Sequence, residues 1–154
     1  MKRPGQYFRH GRLQGQHAAG AIAIKVYSCD QCEAQYRADQ QPQGAKPAQC
    51  LACGCMAFIT FPSITEAKQW AKLRLQERVG LISDLRRQVP LKLFAWTPAG
   101  QPYEVAAAVL DFSFIENGEL VMADAKPKSG VDDLANLKFK IAAANGTPIR
   151  ILTS

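Results

Sequence analysis

An α/β domain behind a small cysteine-rich module is what this sequence predicts, and three observations predict it. Apolar residues recur at helical spacing after a capping signal at Ser63, and again over residues 131–144. Between those stretches lie runs of alternating apolar residues separated by turn signals, among them Asn117-Gly118. Ahead of both, four of the five cysteines stand as two Cys-x₂-Cys pairs with seventeen residues between them. The expected element order after the cysteines is helix, three strands, helix, strand.

Composition sets the frame. The chain has 154 residues, enough for one compact domain and a small appendage, and 47% of them are hydrophobic, which excludes wholesale disorder. A net charge of +6 permits an anionic partner such as nucleic acid. No apolar run approaches the roughly 18 residues of a membrane span, so no membrane association is expected. The first ten residues are basic but are not followed by an apolar stretch, so they do not read as a secretory signal. The expected location is therefore a reducing cytoplasm, where cysteines hold metals more readily than they form disulfides.

Residues 1–20 carry Lys2, Arg3, Arg9 and Arg12 without an acidic residue. They read as a basic tail able to touch phosphates or as a plain solvated tail. His10 and His17 lie in this tail at no ligand spacing. Residues 21–61 form the cysteine segment, with apolar alternation at Ile22, Ile24 and Val26 leading into Cys29 and Cys32, and then Cys50 and Cys53. Two such knuckles each offer two thiolates, the frame of a four-thiolate zinc ribbon. Gly54 suits the turn after Cys53, and Cys55 is one thiol more than the site needs. Such a ribbon is read equally as a partner contact or as a clip that stabilises its surroundings.

The main domain follows, over residues 62–154. Ser63 with Glu66 three positions on is a capping box, which by itself accounts for Glu66. Ile64, Ala67, Ala71, Leu75 and Val79 make the expected inward stripe, with Trp70 beside it, and Gly80 stops the helix. Residues 81–87 read as a short connection and residues 89–96 as a strand. Residues 97–102 (TPAGQP) are a turn. Residues 105–115 and 119–125 form a hairpin whose Asn117-Gly118 turn needs positive φ at both positions. A helix over residues 131–144, with Val131, Leu134, Leu137 or Lys138, and Ile141 on one side, and a strand over residues 149–152 complete the chain.

The hairpin is where chemistry concentrates. Its pairing brings Asp111 near Asp124, with Lys126 two residues on. Two carboxylates beside a lysine on paired strands can hold a divalent cation against a phosphate. Exposed strand charge is the plainer reading of any one of these residues.

Specific words add to this. Phe61-x-Ser63-x-x-Glu66-Ala67 comes first, then Leu73-x-Leu75-x-Glu77-x-x-Gly80-x-Ile82 and Leu85-x-x-Gln88, then Asp111-Phe112 and Asp124-Ala125-Lys126. Their joint order resembles a family of small phage and prophage nucleases of the PD-(D/E)XK group, catalogued mainly as a domain of unknown function. The resemblance covers residues 61–152 and includes the ribbon only loosely. It implies a restriction-endonuclease-like α/β core, αβββαβ, with a mixed sheet flanked by helices. It implies that Asp111, Asp124, the Ala125 carbonyl and Glu66 hold Mg²⁺ or Mn²⁺. By the same resemblance Lys126 positions or activates water, Gln88 assists and Lys138 faces phosphate, while Arg9 and Arg12 are further candidates for DNA contact.

The implied function is a metal-dependent endodeoxyribonuclease, selective for branched DNA and at work in the cytoplasm of a bacterial host. Dimers are common among junction-resolving enzymes of this fold, so a homodimer is the expected assembly. Leu110 stands where the motif's proline would, and Asp124 where a glutamate is usual. The competing readings are a non-catalytic zinc-ribbon module on a retired nuclease scaffold, and a ribonuclease of the same mechanism.

Overall fold

The computed structural model describes residues 23–153. Three short strands come first: β1 (Val26–Cys29), β2 (Gln35–Arg37) and β3 (Phe58–Phe61). They form an antiparallel sheet in the order β2-β1-β3. Helix α1 (Ile64–Arg78) follows, then β4 (Ile82–Trp96), β5 (Pro102–Glu116), β6 (Glu119–Lys126), α2 (Asp133–Ala144) and β7 (Ile149–Thr153). The second sheet runs β4-β5-β6-β7. It is mixed, because β6 pairs antiparallel with β5 and parallel with β7. The described residues thus form a mixed α/β structure with two α-helices and a four-stranded mixed sheet, and no helix among them is long and apolar enough to cross a membrane.

Local chemistry explains the elements. Ser63 caps α1, its Oγ accepting from the Glu66 amide at 3.2 Å. Asp132 caps α2 in the same way, accepting from the Ala135 amide at 2.8 Å. That helix begins at Asp133, two residues later than the apolar pattern suggests. Asn117 and Gly118 take φ of 53° and 82°, the pair of positive values a two-residue hairpin turn requires. The expected connection at residues 81–87 is instead strand: β4 starts at Ile82 and carries a bulge between Ser83 and Arg86. Asp84 sits there at φ 52°, and the extra residue breaks the alternation that would have marked the strand.

The core lies between α1 and the large sheet. Phe61, Phe112 and Phe114 are fully buried, each contributing about 1.5–3 kcal/mol of apolar burial. Trp70 stacks on Phe112 at 6.2 Å between centroids. The buried face of α1 is Ala67, Gln69, Trp70 and Leu73. Leu75 and Val79, expected inside, are 59% and 62% exposed, because the helix presents Trp70 rather than Ala71 to the sheet. On α2 the same rotation leaves Leu134 and Leu137 exposed and turns Ala142 inward. Val26 of β1 and Phe61 of β3 belong to the same cluster as Trp70 and Phe112. The cysteine segment and the large sheet therefore share one core.

Candidate functional site

The four cysteines close on one another. The sulfurs of Cys29, Cys32, Cys50 and Cys53 all lie within 4.8 Å. Cys29 faces Cys53 at 3.5 Å, and Cys32 faces Cys50 at 3.5 Å. A tetrahedron of Zn–S bonds of about 2.3 Å would place sulfurs about 3.8 Å apart, so the cluster is at metal-binding distance and compatible with structural zinc. In each knuckle the fourth residue after the first cysteine has positive φ: Gly54 at 78° and Glu33 at 62°. The turns are closed by Gly54 N to Cys50 O at 2.8 Å and Glu33 N to Cys29 O at 2.9 Å. The Tyr36 hydroxyl lies 3.3 Å from Cys50 Sγ while accepting from the Leu51 amide at 2.8 Å. That hydroxyl is the main reason the Cys50 thiol is drawn down to about 6, toward the thiolate a metal needs. Cys55 stands outside the cluster, its sulfur accepting from the Ala57 amide at 3.3 Å.

The knuckle is also tied to α1. Glu33 pairs with Arg78 at 2.5 Å and with Arg74 at 3.4 Å. Gln35 Nε2 donates to the Ala67 carbonyl at 2.8 Å. Sequence reasoning missed this clamp, since Glu33 carries none of the signals by which a turn is usually recognised.

The second constellation forms where β5 and β6 part. Their ladder ends at Phe112 opposite Ala123. One residue further on, the Asp111 side chain replaces the ladder: its Oδ2 accepts from the Ala125 amide at 2.8 Å. Burial is the main cause of an Asp111 pKa of about 7; the Ala125 amide opposes it, and the charges of Glu66 and Asp124 add to it. Asp124 is buried on β6 at 5% exposure. Its Oδ2 lies 2.5 Å from Lys126 Nζ as an ion pair, but that approach is not aligned as a hydrogen bond and the oxygen has no hydrogen-bond partner. Burial lowers the Lys126 pKa, yet Asp124, Asp111 and Asp132 outweigh it, so the side chain is held as an ammonium. Glu66 reaches the same region from α1. Its Oε1 accepts from Ser63 Oγ at 3.0 Å, and its pKa is raised by burial and by Asp124.

Other expected residues distribute unevenly. Lys138 lines a cavity of about 230 Å³ with Asp124, Lys126, Asp132 and Phe139, and its Nζ donates to the Ala107 carbonyl at 3.3 Å. Gln88 stands on β4 between the pairs Arg87–Phe112 and Val89–Leu110, hence across from Asp111. It is exposed, with φ 52°, and among the described residues no hydrogen bond ties its amide to the carboxylates. Arg9, Arg12, His10 and His17 lie outside the described residues. The three carboxylates are not drawn together as closely as the four sulfurs, the tightest ligand group among the described residues.

Arg87 is the residue sequence reasoning missed. It sits in the stretch read as a connection, yet its guanidinium feels the charges of Glu66 and Asp111. Extending the β4 alternation of Val89, Leu91 and Leu93 back by two residues would have placed it on the same strand face, opposite Phe112.

Site and fold together define a mixed α/β protein with a four-cysteine cluster and a separate carboxylate–lysine cluster. No protein-family model matches the chain, and no curated protein is significantly similar to it.

Proposed function

We propose that the chain is a metal-dependent endodeoxyribonuclease of the PD-(D/E)XK type, acting on branched DNA. The observation that carries this reading is the parting of β5 and β6. It sets Asp111, Asp124 and Lys126 together at the end of a paired hairpin, with Glu66 entering from α1. Burial, with the neighbouring carboxylate charges adding to it, raises the pKa values of Asp111 and Glu66, and a cation would relieve both. The buried Asp124 Oδ2, which has the Lys126 ammonium beside it but no hydrogen-bond partner among the described residues, fits one. Asp111, Asp124, Glu66 and the Ala125 carbonyl would hold Mg²⁺ or Mn²⁺, which prefer such hard oxygen donors. When bound, the ion neutralises phosphoryl charge and lowers the pKa of water.

The chain's own residues do the rest. Asp111 is fixed by the Ala125 amide, so its free oxygen has one orientation. Lys126, held cationic, orients water or the phosphate by charge and hydrogen bonding rather than by removing a proton. Lys138 lines the adjoining cavity as a second phosphate contact. The four-cysteine cluster holds zinc in a structural role, fixing the small sheet whose Val26 and Phe61 complete the core under α1. A homodimer would place two such sites for paired cuts.

Nicking of supercoiled plasmid tests the reading. Wild type should nick with Mg²⁺ and not without it, and Asp111→Ala should not nick under either condition. Nicking that persists in Asp111→Ala would remove the assignment. DNA binding without any nicking by wild type would favour a non-catalytic binding module, and cleavage confined to RNA would make the enzyme a ribonuclease.

A further inference from the structure

Six arginines lie among the described residues, and five of them pair with a carboxylate: Arg37 with Asp39, Arg74 and Arg78 with Glu33, Arg86 with Asp84, and Arg150 with Glu116. Among the described residues, Arg87 alone of these has no carboxylate within 4.0 Å. It is nevertheless held in place. Its guanidinium carbon lies 4.2 Å from the centre of the Phe61 ring and 5.4 Å from that of Trp70. One terminal nitrogen donates to the Thr60 carbonyl at 3.2 Å, and the buried Nε has no partner. A guanidinium fixed on aromatic faces, with donors unspent, beside two carboxylates that do not reach it, is arranged to meet an anion arriving from outside.

We propose that Arg87 binds the phosphodiester that the carboxylate cluster acts on. This rests on the nuclease reading and adds to it the residue that pulls substrate in. Charge shows why one is needed. With all three carboxylates ionised, as a bound cation requires, Glu66, Asp111 and Asp124 against Lys126 and Arg87 leave the cluster one charge negative. A divalent cation makes it one charge positive, which a single phosphodiester neutralises. Without Arg87 the metal-loaded cluster is neutral and has no net attraction for the backbone. Lys126, already paired with Asp124 and committed to orienting water or the reacting phosphoryl group, adds no further charge to this balance. The planar fork of Arg87 can donate two parallel hydrogen bonds to phosphate oxygens, which an ammonium cannot. Its anchors, Thr60 and Phe61, belong to β3 of the small sheet, so the cysteine-bearing segment helps aim it.

The test is the salt dependence of duplex binding, measured beside cleavage, for wild type, Arg87→Met, Arg87→Lys and Arg86→Met. Methionine keeps an apolar stem over Phe61 and removes the charge. Arg87→Met should flatten the slope of log affinity against log salt by about 0.9, the loss of one phosphate contact. Its cleavage rate should fall on the order of tenfold to a hundredfold. Arg87→Lys should restore the slope but only part of the rate, and Arg86→Met should change neither. An Arg87→Met protein that melts normally, with the wild-type slope and rate, would overturn the proposal and leave Arg87 a packing residue. If Arg87→Met loses its melting transition, the same slope is read on Arg87→Gln, whose amide keeps a donor for Thr60, with the same two outcomes. Absent cleavage by wild type, with a slope that still depends on Arg87, would instead refute the nuclease reading and leave the phosphate contact standing.

Discussion

Asp111→Asn should make the metal-free protein more stable at pH 8 while abolishing cleavage. Asparagine keeps the side-chain oxygen that accepts from the Ala125 amide at 2.8 Å but removes the charge. Burial is the main cause that raises this carboxyl from 3.8 to about 7. Between those values the folded state binds more protons here than the unfolded state, so stability falls as pH rises through the window. The full shift corresponds to at most about 4 kcal/mol. Asp111 is only partly buried, and solvent screening reduces this to on the order of 1–2 kcal/mol. For a chain of this size that is a rise of roughly 2–8 °C in melting temperature.

Thermal melts of wild type and Asp111→Asn at pH 5 and pH 8, without Mg²⁺, read the effect directly. The variant's advantage should be largest at pH 8, less than half as large at pH 5, and gone only below about pH 3.8. Added Mg²⁺ should stabilise wild type at pH 8 and leave the variant unmoved, since binding to the folded state alone raises stability. A variant less stable than wild type at pH 8, or a gap that widens toward pH 5, would refute the reasoning.

Lys126→Ala should abolish cleavage while duplex affinity in a binding assay changes less than tenfold; retained cleavage would contradict its role. Tyr36→Phe removes the hydroxyl beside Cys50 Sγ and should weaken zinc affinity about 10–100-fold in a chelator competition. Releasing zinc with a thiol-modifying reagent should lower the melting temperature of the whole protein in one transition, because Val26 and Phe61 share the core with Trp70 and Phe112. A separate early transition, with the main one unmoved, would show that the cysteine segment folds apart from the sheet.

Much of this was legible in the sequence wherever one local signal sufficed. The paired Cys-x₂-Cys spacing foretold four sulfurs within 4.8 Å of one another. Asn117-Gly118 fixed the turn, and with it the approach of Asp111 to the Asp124 region. What escaped depended on two elements at once. The start of β4 was hidden by the bulge at Asp84, and Arg87 by the polar run Arg86-Arg87-Gln88, which carries no apolar alternation. On α1 Ala67 is buried as expected, but the far ends of both inward faces were misplaced, because Gln69 and Ala142 are buried while Leu75, Leu134 and Leu137 face out. Glu33 has an unremarkable side chain for a turn, and only the folded arrangement of knuckle and helix gives it Arg74 and Arg78 as partners.

The central claim is that Asp111, Asp124 and Lys126 form a hydrolytic centre. The measurement that tests it most directly is cleavage of end-labelled duplex, single-stranded, flap and four-way-junction DNA with Mg²⁺ or Mn²⁺, wild type beside Asp124→Ala. Cutting by wild type only, concentrated on the junction or flap, is expected. Equal cutting by Asp124→Ala, or binding of every DNA without cutting by wild type, would contradict it.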